Sequence, residues 1–308
     1  MSNQLVSVII PTYSRPTNLC RAIDSVLAQT YKPIEIIVVD DNGLGTDLQK
    51  ETENILSKYI TTSQITYVCH SDNRNGSAAR NTGVWACHGN IVSLMDDDDV
   101  FTPEKIEKQV QTLLERNKDD NSYQGCYCNT EKRYPNGKIQ YFLNKKEGSL
   151  AEELLTDEIH FNSSTILLFK EIYIKLNGFD ERFLRHQDWE FCVRFFERYK
   201  MALACPDETL IIKYATPNAI TKDSYRLIEY KEFFLKEMAP FIIHYKRSNN
   251  IYHKQYFDLG TGLISNGYFV EAIKYIRKSH LYKKINFIEA KELVRRFSRY
   301  FYSKLKNI

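Results

Sequence analysis

No two cysteines stand at CxxC spacing; among seven, the nearest neighbours are Cys126 and Cys128. An odd number at irregular spacing excludes a disulfide framework or a thiolate zinc site, and implies reduced thiols in a cytosolic protein. No apolar run approaches the roughly 18 residues that cross a bilayer. No basic segment followed by a long apolar one precedes Val6–Ile10, so a signal peptide is not expected either. Net charge is only +3, and the one dense basic stretch lies at the extreme C-terminus, which argues against nucleic acid as a partner. Low-complexity sequence and any Ser/His/Asp or Cys/His nucleophile arrangement are also missing. What remains is ordinary globular material: 308 residues, 43% hydrophobic and 26% charged, enough for one large domain with an appendage.

Two patterns alternate through the first hundred residues. Short β-branched runs occur at Val6–Ile10, Ile34–Val39, Ile65–Cys69 and Ile91–Met95. Between them lie stretches of helical spacing: Leu19 to Leu27, Leu48 to Tyr59, and Ser77 to Ala86. That alternation predicts an α/β fold of βαβ units, with a mostly parallel sheet flanked by helices. The almost wholly apolar strands agree, because both faces of such a sheet are covered. Further on, the sequence predicts a helix from Pro103 to Arg116 with Thr102 as N-cap. Strands are expected around the turn Tyr134–Gly137, and an apolar run at Thr165–Phe169. A helix over Asp188–Tyr199 and short strands near Met201–Ala204 and Thr209–Tyr214 complete this part. Cys20, Cys87 and Cys192 fall among apolar neighbours on helical stretches, as small buried hydrophobes.

From about Ser224 glycine becomes rare and helical spacing runs nearly to Ile308. The expected division is a catalytic domain over 1–220 and a helical region over 221–308, with the boundary between Thr216 and Ser224. Tyr256–Ser279 resembles one tetratricopeptide-like helix pair turning at Asn266-Gly267; a single copy makes no solenoid. The last helix is basic and aromatic, carrying Lys291, Arg295, Arg296, Arg299, Lys304 and Lys306 against Glu292 alone. It suits either peripheral contact with an anionic membrane or packing on its own domain with a solvated face.

In open parallel sheets ligands bind beyond the carboxyl ends of the strands. Here those ends carry Pro11-Thr12-Tyr13, Asp40-Asp41, the segment Asn73–Asn81, and the four-aspartate run Asp96–Asp99. Four adjacent carboxylates repel unless screened. Read alone, the run is a solvated acidic turn or a set of helix caps. With matching clusters on neighbouring strands it reads as a Mg²⁺ or Mn²⁺ site that shares its ion with substrate phosphates.

Five segments together are similar to the family 2 glycosyltransferases of the GT-A fold: Val6–Tyr13, Ile37–Asp41, Ala79–Gly83, Leu94–Asp99, and Gly178-Phe179-Asp180 followed by Gln187–Glu190. The resemblance covers about Leu5 to Tyr214. It implies an enzyme that moves a hexosyl unit from a nucleotide-diphosphate sugar, UDP first, to a hydroxyl of a glycan or lipid-linked glycan, with inversion. Bacterial surface polysaccharide is the implied setting. Thr12 and Asp40 match positions that hold base and ribose, with Pro11, Tyr13, Arg15, Asp41, Asn75, Gly76 and Arg80 beside the same nucleotide sugar. Asp96–Asp98 match the DxD motif, Asp98 as the metal ligand and Asp96 or Asp97 nearer the ribose. Asp188 matches the catalytic base, ionised at a helix N-terminus. Gln187 replaces the usual acidic residue before it. The segment after the base helix, Lys213–Asn218, lacks the histidine some relatives have, and Lys213 is the candidate substitute charge. His186 and Trp189 are candidate acceptor or phosphate contacts. The rival readings are a nucleotidyltransferase, which would need a glycine-rich loop where Tyr13–Asn18 has none, and a non-catalytic nucleotide-sugar-binding scaffold.

Overall fold

A computed structural model describes residues 4–60, 64–215 and 224–305. Two compact units divide the chain: residues 1–151 with 160–216, and residues 152–159 with 217–308. The boundary expected between Thr216 and Ser224 lies outside the described residues.

The first unit begins with β1 (Val6–Thr12), α1 (Pro16–Leu27), β2 (Ile34–Asp40), α2 (Asp47–Ile60), β3 (Ile65–Cys69), α3 (Asn75–Ala86) and β4 (Ile91–Leu94). β1 pairs in parallel with β2 and β4, and β2 with β3. Val6, Val8, Ile9 and Ile10 are fully buried because helices cover both faces, and each such side chain contributes roughly 1.5–3 kcal/mol of transfer energy. Pro16 at the first helical position starts α1, where its missing N–H costs nothing.

Beyond β4 the sheet becomes mixed. β5 (Asp99–Phe101), α4 (Lys105–Asp119), β6 (Tyr123–Arg133), β7 (Ile139–Phe142), α5 (Ala151–Leu155), β8 (Leu167–Phe169), α6 (Lys170–Lys175), α7 (Gln187–Phe196) and β9 (Lys200–Tyr214) follow. The strand order is β3-β2-β1-β4-β8-β6-β9-β5, with β7 paired to β6. Here only β6 and β9 run parallel; β4–β8, β6–β8, β6–β7 and β5–β9 are antiparallel. The mostly parallel arrangement therefore holds for the first four strands.

Three local expectations are corrected. Thr102 does not cap α4, which begins at Lys105 behind Glu104. The Thr102 hydroxyl donates to the Leu210 carbonyl of β9 instead, 3.3 Å away. The two short strands near 201–204 and 209–214 are one strand with register shifts opposite Cys128-Asn129 and Asn129-Thr130. Asn129 is buried there and donates to the Pro206 carbonyl at 3.0 Å, satisfying the irregular backbone. Cys192 on α7 and Cys87, which stands just after α3, are buried, but Cys20 is only partly covered.

In the second unit α8 (Ser224–Ile242), α9 (Ser248–Ser265), α10 (Phe269–Tyr282) and α11 (Phe287–Leu305) succeed one another. α9 and α10 form an antiparallel pair around Gly267, whose φ of 86° ends α9. Residues 152–159 join this unit: Gln255 donates to the Leu155 carbonyl at 2.6 Å, and Glu152 accepts from the Lys246 amide at 3.1 Å. α11 lays Phe297 and Tyr300 against Phe269. Among the described residues no helix is long and apolar enough to cross a membrane.

Candidate active site

A cavity of about 190 Å³ opens where β1, β2 and β4 end, lined by Pro11, Thr12, Tyr13, Arg15, Asp41, Gly76, Ala79, Arg80, Asp96 and Asp97. Parallel strands deliver their ends to one edge, so chain segments far apart in sequence meet there. Of the residues expected around the nucleotide sugar, Asp40 and Asn75 do not line this cavity. Asp40 is fully buried, and its two oxygens accept from the Asn42 amide and the Tyr67 hydroxyl, each at 2.8 Å. Asn75, with φ of 76°, donates to the Glu181 carbonyl at 3.0 Å and accepts from the Ser77 amide. Asp41 does line the cavity. Its carboxylate meets His70 Nδ1 at 2.7 Å and accepts from the Asn73 side chain at 3.0 Å and the Arg74 amide at 2.8 Å.

The four-aspartate run is divided by its partners. Asp97 is buried; Thr12 donates to it at 2.8 Å and Arg15 lies 3.0 Å away. Burial pushes its carboxyl up to about 7, against the pull of Arg15. Asp98 pairs with Arg15, and its carbonyl accepts from Arg21 at 3.3 Å. For Asp96 burial opposes ionisation, but Arg80 at 2.6 Å and Lys213 at 3.8 Å outweigh it and hold the carboxyl below its ordinary range. Asp99 is buried and accepts from Lys213 at 2.7 Å and Ser164 at 2.5 Å; burial pushes it up to about 6. Oxygens of Asp96, Asp98 and Asp99 lie within 4.8 Å of one another. Three carboxylates converging on one point form an all-oxygen set that suits a hard divalent cation such as Mg²⁺ or Mn²⁺. Asp97 is turned toward Thr12 and stands apart from that set.

Gly178-Phe179-Asp180 has a mechanical purpose. Gly178 has φ of +63°, and a Cβ there would sit 2.4 Å from the Asn81 side-chain oxygen. Asn81, on α3, accepts from the Phe179 amide at 2.8 Å and the Tyr173 hydroxyl at 2.7 Å. It donates to the Phe179 carbonyl at 2.9 Å and to Glu181 at 3.0 Å. Asp180 closes the turn by pairing with Arg182 at 2.6 Å. The chain then enters α7 through His186, a non-glycine residue at φ of 61°, the kind of outlier that collects at functional sites.

Asp188 is the second residue of α7, and its carboxylate accepts from the Trp189 amide at 3.0 Å. The helix N-terminus is expected to keep it ionised; desolvation works the other way and pushes its pKa above the ordinary carboxylate value, and the nearby Arg80 offsets this only in part. Gln187 accepts from Arg80 at 3.0 Å, so the residue in place of the usual acid holds the same guanidinium that binds Asp96. His186 and Trp189 face each other with ring centroids 5.5 Å apart. Lys213, expected as a substitute charge, sits on the Asp96–Asp99 side.

Sequence reasoning gave Asp99 and Asn81 no individual role and left out Ser164 and Arg21. Asp99 was visible as the fourth aspartate, and its pairing with Lys213 follows from their being opposed across β5 and β9. Ser164, which donates to Asp99 and accepts from the Asp96 amide at 2.9 Å, has no signal in sequence, because only the mixed half of the sheet brings it there.

The family model described as glycosyl transferase family 2 matches residues 7–176. An uncharacterized glycosyltransferase of Rickettsia prowazekii is 32% identical over 275 residues, covering 86% of this chain and 81% of that protein. The amylovoran biosynthesis glycosyltransferase AmsB of Erwinia amylovora is 26% identical over 258 residues, covering 81% and 82%. Among solved structures, S. aureus TarS 1-349 in complex with UDP matches with a TM-score of 0.55 at 15% identity, covering 98% of this chain and 92% of that one. The mannosyltransferase PcManGT of Pyrobaculum calidifontis, in complex with GDP-Man and Mn²⁺, matches at 0.57 and 16% identity, covering 97% and 87%. Both share the GT-A architecture.

Proposed function

The chain belongs to glycosyltransferase family 2, and from that premise we propose that it is an inverting hexosyltransferase that takes its sugar from a nucleotide diphosphate, UDP first. The observation that carries this reading is the single cavity in which Thr12, Arg15, Gly76, Arg80, Asp96 and Asp97 meet beside the converging oxygens of Asp96, Asp98 and Asp99. A nucleotide needs such a mixture of hydroxyl, cation and carboxylate. UDP in one structural neighbour, and GDP-Man with Mn²⁺ in another, support a nucleotide-sugar donor and a divalent cation. The amylovoran biosynthesis in the name of the Erwinia relative supports a polysaccharide acceptor.

In this mechanism Asp98, Asp96 and Asp99 would hold a cation, Mn²⁺ or Mg²⁺, which when bound would neutralise charge developing on the diphosphate leaving group. Arg80 and Lys213 hold those carboxylates in place. Asp188 takes the acceptor hydroxyl proton as the oxygen attacks the anomeric carbon. Its raised pKa makes it a stronger base, matched better to proton transfer near neutral pH. The exposed face of α11, with Phe287, Ile288, Val294, Lys291 and Arg299, is suited to an anionic membrane surface where a lipid-linked acceptor resides. Incubation with UDP-sugars and Mn²⁺ tests the central claim: slow UDP release is expected from at least one donor. UDP release from none, with GDP-sugars active instead, would overturn the choice of base.

A further inference from the structure

Cross-strand partners share a sheet face, so a register can be read as a row of side chains. One such row starts at the acidic cluster: Asp99 on β5 opposes Lys213 on β9, which opposes Lys132 on β6, which opposes Gln140 on β7. Lys213 reaches Asp99 and Asp96, so this face looks toward the acidic cluster. Lys132 stands two strands away from Asp99, roughly 10 Å at the usual spacing. Among the described residues neither Lys132 nor Lys138 has an acidic partner. Both ammonium groups gather around one ring instead, at 5.6 and 5.8 Å from the centroid of Tyr134. The Tyr134 hydroxyl donates to Gln140 at 2.9 Å, which fixes that ring across the turn.

Beside this ring is a second cavity of about 400 Å³, with Tyr134, Lys138, Ile139, Arg133 and Tyr214 in its walls. That volume is within the range of small-ligand sites. The guanidinium of Arg21 stacks on Tyr214 at 4.2 Å from the ring centroid and donates to the Asp98 carbonyl. One arginine thus links Tyr214 of this cavity to the backbone of Asp98. Aromatic rings present flat apolar faces; uncompensated lysines attract negative charge.

We propose that the β6–β7 hairpin with Tyr214 is a subsite for a saccharide carrying phosphate or carboxylate groups, which it presents as the acceptor. Sugar rings lie against Tyr134 and Tyr214, while Lys138 in the cavity wall holds the anionic groups and Lys132, outside the lining, adds its charge beside the Tyr134 ring. This rests on the glycosyltransferase reading only in calling the occupant an acceptor.

The test measures binding of three oligosaccharides of equal length to the full chain with saturating UDP and Mn²⁺: a phosphorylated dextran, an oligogalacturonate and neutral dextran. At least one charged oligomer should bind about tenfold tighter than the neutral one, and which one does identifies the anionic group. The double variant Lys132→Gln/Lys138→Gln should lose that preference with unchanged UDP affinity. The control Lys291→Gln/Arg299→Gln on α11 should keep it. Equal binding of all three oligomers to the wild type, or a preference kept by the hairpin variant, would overturn the proposal. Failure of the wild type to bind UDP would count against the donor reading and leave the comparison of oligomers intact.

Discussion

The two halves of the sheet treat charge in opposite ways. In the parallel half the strand-end carboxylates Asp40, Asp41 and Asp97 are buried and paired with neighbouring side chains or amides. In the mixed half the β6–β7 hairpin leaves Lys132 and Lys138 with only a tyrosine ring for company. The parallel strands, covered on both faces, give a rigid edge on which buried charges can be held by loop amides and side chains. The hairpin is held by fewer neighbours and keeps its charges available. On the proposed reading, the donor end holds its charges among fixed partners and the acceptor end leaves its lysines open to a ligand.

The largest effect that would sharpen this contrast is Asp98→Ala, which removes a carboxylate from the rigid edge. Transfer is expected to fall at least about a thousandfold, with loss of the divalent-cation dependence of UDP binding. Normal Mn²⁺-dependent activity in that variant would dissolve the distinction. Asp188→Asn comes next: turnover should fall at least about a hundredfold with UDP affinity retained. Since the base works deprotonated, wild-type turnover should drop as pH falls through its raised pKa, and the residual activity of the variant should not follow that limb. Stability carries the opposite sign. A carboxyl whose folded pKa lies above its unfolded value favours the folded state while protonated, and that contribution is lost as pH rises through the folded pKa. Asp188→Asn should therefore leave the melting temperature near pH 8 unchanged or raised, and a marked drop would make the residue structural.

Smaller effects follow. Gly178→Ala forces a Cβ at positive φ against Asn81, at a cost of about 2 kcal/mol, or roughly 5 °C in Tm. Smallest is the change in α11. Lys291→Gln/Arg299→Gln should weaken flotation with anionic vesicles at least about fivefold and leave transfer to a soluble acceptor unaltered. No vesicle binding by the wild type would end the membrane reading.

Legibility in sequence follows the same division. β1 to β4 were readable because strand, helix and motif coincide locally: an apolar run ends in Thr12, in Asp40 or in Asp96. The mixed half was harder, because its positions depend on long-range pairing. Lys213 could be named a candidate, but its contact with Asp99 needs the β5–β9 register. Thr102 looked like a cap by local rules and was drawn to β9 instead. Asp188 was legible as a candidate base, whereas the direction of its pKa was not, since desolvation is a property of the packed site.

Asn81 offers a last consequence. An amide side chain can make four hydrogen bonds, two given and two taken, and Asn81 has four: from Phe179 and Tyr173, and to Phe179 and Glu181. A saturated amide has no alternative arrangement to drift into, so it works as a rivet between α3 and the loop that leads to α7. α3 carries Gly76 and Arg80, and α7 carries Asp188. Under the proposed mechanism the base and the diphosphate-binding residues stand on two elements tied through one side chain, so part of the entropy of aligning them is spent when the chain folds, before any substrate arrives.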